Sequence, residues 1–256
     1  MQQQTHTWDA ALYNHKHSFV YDYGASLIEL LDPKPHERIL DLGCGSGELT
    51  KAISEHAKDV IGIDKSAEMV ERARLQFPLC DYEIGDASDF NFHEPFDAIF
   101  SNATLHWVVN YKDAIDCMYA NLKKEGRIVV EFGGKDNVRI ITEQLRKSLL
   151  KRGYEEQAKM QLWYFPSVGE YASALEAANF TVTFAQWYDR PTQLFDEESG
   201  IKDWLSMFCK PFLKGVNDLE VVDIMNEVQK ELVPTLFRDG KWFADYKRIR
   251  VVAFKK

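Results

Sequence analysis

A chain of 256 residues with 45% apolar and 13% aromatic side chains can build a sizeable core, which excludes a disordered polypeptide. Its formal charge of −9 at pH 7 argues against a nucleic-acid or anionic-membrane partner, since either calls for a basic face. The Met1-Gln2-Gln3-Gln4 start has no leader pattern, no stretch reaches the ~18 apolar residues of a membrane span, and the four cysteines lack paired spacing, so a reduced cytoplasmic chain is expected.

Strands and helices alternate from about Arg38 to Phe132. Arg38–Leu42 reads as a strand, Glu48–His56 as a helix and Val60–Asp64 as a strand. Ala67–Gln76 reads as a helix capped by Ser66, and Tyr82-Glu83-Ile84 as a short strand. Phe96–Ser101 is a further strand, Lys112–Lys123 a helix and Arg127–Phe132 a strand. Val138–Lys151 reads as an amphipathic helix with a basic solvent side, and Val168–Ala178 as a helix capped by Ser167 before the strand Phe180–Tyr188. The aromatic-rich stretch Asp189–Lys247 is largely helical in period, and Arg248–Phe254 is the last strand. This order predicts an α/β fold, Rossmann-like and doubly wound, whose mostly parallel seven-stranded sheet carries a helical lid inserted near the C-terminus. The expected domains are an N-terminal helical segment over residues 1–35, a core over 36–188, the lid over 189–247 and a final core strand over 248–256.

The first strand runs into Asp41-Leu42-Gly43-Cys44-Gly45-Ser46-Gly47. Glycine lets backbone approach a ligand closely, and the helix that follows presents unpaired N–H groups. Asp41 would face a positively charged nucleotide-like cofactor held in this turn, which points to S-adenosylmethionine. Asp64 closes the second strand about 20 residues beyond Gly43, the distance at which dinucleotide folds set a carboxylate on the ribose. Cys44 reads as a small turn residue rather than a nucleophile, and the seven histidines show no metal-binding spacing, so no metal is expected.

These segments, with Gly85-Asp86-Ala87 and the run Ser101-Asn102-Ala103-Thr104-Leu105-His106-Trp107, resemble the ordered motifs of class I S-adenosylmethionine-dependent methyltransferases. Over nearly the full chain the sequence is most similar to the trans-aconitate methyltransferase group, through Trp8 to Tyr13, Asp203-Trp204 and the closing Arg-x-x-Val-Ala segment as well. The resemblance implies that Gly43, Cys44 and Gly45 meet the methionine part of the cofactor, with Asp41 near its ammonium. It implies that Asp64 takes the ribose hydroxyls, that Lys65 lies along the adenine, and that Asp86 and Ala87 meet the adenine amino group. Ser101 and Asn102 would end their strand beside the methionine part, and Leu105, His106 and Trp107 would line the path to the acceptor.

A sulfonium is already a good leaving group, so the protein has chiefly to align the reactants and exclude water. Aromatic faces suit its charge, which makes Trp8, Tyr13 and Trp107 candidates; for Trp8 and Tyr13 a helix packing on the core is an equal reading. His106 either acts as a base or shapes the pocket. A carboxylate acceptor needs no base, whereas a hydroxyl or carbon acceptor does. An acid also needs cations, and the resemblance implies Lys210 and Arg248. The group carries arginine–proline where this chain has Lys210-Pro211, and lysine lacks the planar fork that grips a carboxylate twice; Lys210 and Arg248 both read equally as surface charges, and for Lys210 the surface is the favoured reading. The expected partner is a small-molecule acceptor, with a carboxylic acid leading and a hydroxyl, amine or carbon centre as alternatives; a monomer is compatible with this reading. An NAD-dependent oxidoreductase would need a third glycine where Glu48 stands. A non-catalytic cofactor-binding protein is the other competitor.

Overall fold

The computed structural model describes residues 19–256. Its strands are β1 (Arg38–Leu42), β2 (Asp59–Asp64), β3 (Asp81–Ile84), β4 (Phe96–Asn102), β5 (Leu122–Gly133), β6 (Phe180–Asp189), β7 (Thr192–Gln193), β8 (Phe237–Arg238), β9 (Lys241–Ala244) and β10 (Lys247–Lys255). Seven of them form one sheet in the order β3-β2-β1-β4-β5-β10-β6, and β7-β9-β8 form a second. The fold is the expected Rossmann-like one. Strands β1 to β5 pair in parallel, and β10 runs antiparallel to β5. The strand order reverses between β1 and β4, and open α/β sheets bind ligands at such a point.

Side chains alternate across a strand, so each core strand feeds two apolar layers. Leu40 and Leu42 join Ile99, Val130 and Val251 on one face, while Ile39 joins Ala98, Phe100 and Val129 on the other. The helix Phe19–Leu31 packs Leu27 and Leu31 into that second layer. Two expected caps are present. The Ser66 side chain accepts from the Met69 N–H at 3.3 Å, and Ser167 forms a capping box with Glu170. Such a cap contributes about 1 kcal/mol.

The described residues divide into two compact units. One holds the seven-stranded sheet and comprises residues 19–135, Trp163–Tyr188 and Arg248–Lys256. The other comprises Asp136–Leu162 and Asp189–Lys247, with helices Arg139–Lys151, Glu155–Lys159, Gly200–Phe208 and Asp218–Leu236 around β7-β9-β8. These short strands depart from the largely helical expectation, because an aromatic-rich stretch can bury its rings from a hairpin as readily as from a helix. A second correction concerns the helix Arg139–Lys151, whose basic side does not simply face solvent. Arg146 donates to the carbonyls of Ala158 and Met160 and lies over the Phe212 ring, while Lys151 and Arg152 pair with Glu227. In the same unit Trp204 Nε1 donates to Tyr246 Oη at 2.7 Å.

Candidate functional site

The turn after β1 is held against β2. Gly43 and Cys44 both donate their N–H to the Ile63 carbonyl, at 2.7 and 2.9 Å. Gly43, Gly45 and Gly47 have φ of 80°, 56° and 90°, a region that disfavours other residues. Their surroundings differ. A Cβ on Gly43 would overlap Thr104, and one on Gly47 would lie 2.5 Å from Tyr82 Oη, so these two are fixed by packing. A Cβ on Gly45 would meet nothing within 4 Å, so this glycine faces open space. Cys44 is buried, and burial pushes its thiol well above the usual range, with Asp41 and Asp64 adding to the effect.

Two carboxyls flank the turn. Asp64 accepts the Gly45 N–H on Oδ2 at 3.0 Å and the Ser66 N–H on Oδ1 at 2.8 Å, so it ties the turn to the next helix. Burial pushes its pKa up and these two N–H groups oppose the rise. Asp41 is 2% exposed and its Oδ2 accepts from Thr50 Oγ1 at 2.6 Å. Burial raises its pKa to about 7; the Thr50 bond lowers it, and the like charges of Asp64 and Glu48 raise it. Glu48 takes the Ser46 hydroxyl on both oxygens, at 3.0 and 2.8 Å.

Lys65 donates to Asp86 Oδ2 at 2.6 Å, and Asp86 Oδ1 accepts from the Ser88 N–H and hydroxyl at 2.9 and 2.8 Å. Burial would lift Asp86, but these hydrogen bonds hold it below the ordinary carboxylate range. Ala87 is buried beside it.

At the end of β4, Ser101 is fully buried and donates to the Leu42 carbonyl at 2.8 Å. Its hydroxyl therefore clamps β4 to β1. Asn102 is buried next to it, and Thr104 Oγ1 donates to the Asn102 and Gly43 carbonyls. Ala103 turns the chain out of the strand with φ 58°. The short helical turn Leu105–Trp107 then carries His106, 7% exposed, whose Nδ1 accepts the Gly133 N–H at 3.4 Å. The His106 ring lies 5.4 Å from Trp107 and 5.8 Å from Phe165, and Trp163 lies 5.6 Å from both of those rings. Arg248, 3% exposed, sits opposite Gly133 in the β10–β5 register.

Most of the sequence candidates thus gather in the sheet unit, at the carboxyl ends of β1, β2 and β4 or beside Gly133. Lys210 is exposed at the start of the turn Lys210–Leu213 in the other unit. Trp8 and Tyr13 lie outside the described residues. Sequence reasoning missed Thr50, Tyr82, Thr104, Trp163 and Phe165. Thr104 fills the space that Gly43 leaves, and Tyr82 does so at Gly47. Only the dense Trp163-Tyr164-Phe165 aromatic run signalled any of them in the sequence.

A family model described as "Methyltransferase domain" matches residues 11–184. The chain belongs to this methyltransferase family, of the class I S-adenosylmethionine-dependent type. It is 33% identical over 262 residues to an uncharacterized methyltransferase of Schizosaccharomyces pombe, covering 97% of this chain and 98% of the relative. It is 28% identical over 265 residues to a trans-aconitate 2-methyltransferase of Mycolicibacterium gilvum, with 96% and 98% covered. Among solved structures it resembles a putative methyltransferase of Bacillus halodurans with a TM-score of 0.64 at 18% identity, covering 90% of this chain and 97% of that one.

Proposed function

We propose that the chain transfers a methyl group from S-adenosylmethionine to a carboxylate of a small organic acid. The observation that carries the cofactor assignment is the arrangement around Gly45: an open-faced glycine between a buried carboxyl with a pKa of about 7, Asp41, and a half-buried one, Asp64. A buried carboxyl of that kind is suited to an ammonium, which would supply the countercharge it lacks. Asp41 would hold the ammonium of the methionine part, with Gly43, Cys44 and Gly45 along it. Asp64 has lone pairs beyond those used by Gly45 and Ser66 and would accept from ribose hydroxyls. Lys65, Asp86 and Ala87 would border the adenine, and Asn102 the methionine part. Ser101 would act through its clamp on Leu42. The bound cofactor supplies a methyl group on a sulfonium, which leaves as a neutral thioether.

The acid reading rests on two supports. The trans-aconitate methyltransferases are related over most of their length. Arg248 also sits opposite Gly133, the residue that donates to His106, and its cation would suit an acid. Trp107 would supply an aromatic face to the acceptor, and Trp8, Tyr13 and Lys210 are candidates on the resemblance alone.

The test is S-adenosylhomocysteine formation from S-adenosylmethionine with trans-aconitate and a panel of di- and tricarboxylic acids. Product above the no-acceptor control, lost in Arg248→Glu, is expected. A preparation that binds the cofactor but methylates none of these acids would refute the acid assignment and leave the cofactor assignment standing.

A further inference from the structure

The parallel ladder between β4 and β5 ends one rung early. Ala103 donates its N–H to the Glu131 carbonyl at 2.7 Å, and the next rung of a parallel ladder would send the Gly133 N–H to the Ala103 carbonyl. That rung is absent from the ladder, because Ala103 adopts φ 58° and swings the chain away. The Gly133 N–H is then a buried donor in need of an acceptor, and leaving it unmet would cost about 1–3 kcal/mol. His106 Nδ1 takes that place at 3.4 Å. The hydrogen on a backbone nitrogen is fixed by the peptide plane, so Nδ1 must present its lone pair. In a neutral imidazole the proton then sits on Nε2.

This has a chemical consequence. A histidine acting as base through Nε2 must carry its neutral-state proton on Nδ1, where it would point at the Gly133 N–H. We infer that His106 is a hydrogen-bond donor to the methyl acceptor and not its base, so the site takes an acceptor atom that is nucleophilic without losing a proton. The inference rests on the methyltransferase reading above and deepens it. A carboxylate oxygen fits: its lone pair forms the new O–CH3 bond, the C–S bonding pair returns to sulfur, and the products are a neutral ester and a neutral thioether. No proton is released. The Nε2–H is a donor and Arg248, opposite Gly133 in the β10–β5 register, is a cation, and both favour an anion. A hydroxyl or an ammonium acceptor would demand a base at this position, and the ladder withholds it.

Two measurements test this. Proton–nitrogen correlation spectra of protein labelled with 15N in histidine, at pH 8, report the tautomer of His106 directly; the proton on Nε2 and none on Nδ1 is expected, and a proton on Nδ1 overturns the inference. Separately, His106→Gln keeps an N–H donor near the Nε2 position. With an acid that is methylated it should retain kcat within tenfold and raise KM. A larger loss of kcat overturns the inference, since general bases contribute 10²–10⁴-fold. If the spectra show Nε2–H while no acid is methylated, the donor assignment stands and the acid reading fails.

Discussion

As the proposed holder of the cofactor ammonium, Asp41 should link cofactor affinity to pH and trade stability against binding. Burial holds its pKa at about 7 in the free protein, against an ordinary value of 3.8. An ammonium placed beside it would favour the carboxylate, so binding at pH 6 releases close to one proton. From pH 7.5 to 5.5 the ionised fraction of such a group falls about 25-fold, and S-adenosylhomocysteine affinity should weaken by a similar factor, about 1.9 kcal/mol. The sign is reversed for folding. A carboxyl whose folded pKa is raised binds a proton that the unfolded chain has already lost, so stability declines as pH climbs from about 4 to 7 and levels off above. Asp41→Asn keeps an acceptor for Thr50 without the charge. It should raise the stability of the ligand-free protein at pH 8 by about 1–4 kcal/mol, weaken cofactor binding, and abolish the pH slope. Calorimetric titration at several pH values, in buffers of different ionisation enthalpy, reads affinity and proton release together. Equal affinity at pH 5.5 and 7.5, or an unchanged slope in Asp41→Asn, would refute the reasoning.

Other outcomes separate packing from binding. Gly43→Ala forces a Cβ into Thr104 at φ 80° and should cost about 2 kcal/mol or more of stability, whereas Gly45→Ala meets no neighbour and should cost about 1 kcal/mol yet impair cofactor binding; thermal melts with and without S-adenosylhomocysteine tell them apart. Arg250 contacts Glu131 Oε2 from Nε at 2.6 Å, and Tyr188 Oη donates to the same oxygen at 2.6 Å, while Glu131 is only 1% exposed. Arg250→Met removes the cation that faces this buried carboxylate and should lower stability by about 3–5 kcal/mol in urea unfolding, and Glu131→Gln in the same background should restore part of it. Cys44→Ala should leave kcat unchanged, because the buried thiol is held protonated; a large loss would make Cys44 more than a small turn residue.

The glycine turn and its flanking acids were legible in the sequence because their signals are local. Asp41, three glycines and Asp64 sit at strand ends, where apolar runs break into residues that only a turn or a ligand explains. The strand and cap positions were readable for the same reason, with Ser66 and Ser167 as the clearest cases. What escaped was set by partners remote in sequence. Nothing near Ser101 announces that its hydroxyl is spent on Leu42, 59 residues away, and nothing near His106 announces the Gly133 N–H. The Glu131–Arg250–Tyr188 cluster was invisible for that reason too: a charged residue in a strand pattern reads as solvent-facing until its countercharge is found on another strand. Aromatic composition in Asp189–Lys247 suggested burial but left the choice of helix or hairpin open, and β7, β8 and β9 took the second course.

β10, which follows the six other strands of the large sheet in sequence, lies inside that sheet rather than at its edge. β10 separates β5 from β6, so β6 has no other neighbour in the sheet. During synthesis, then, both strands must wait with open edges until β10 emerges, because their shared partner is made after both of them. Long-range pairings of this kind slow folding and expose unpaired strands to association. A message truncated before Lys247 would cost the sheet two strands rather than one, and a nascent chain has a built-in interval in which a chaperone would be of most use.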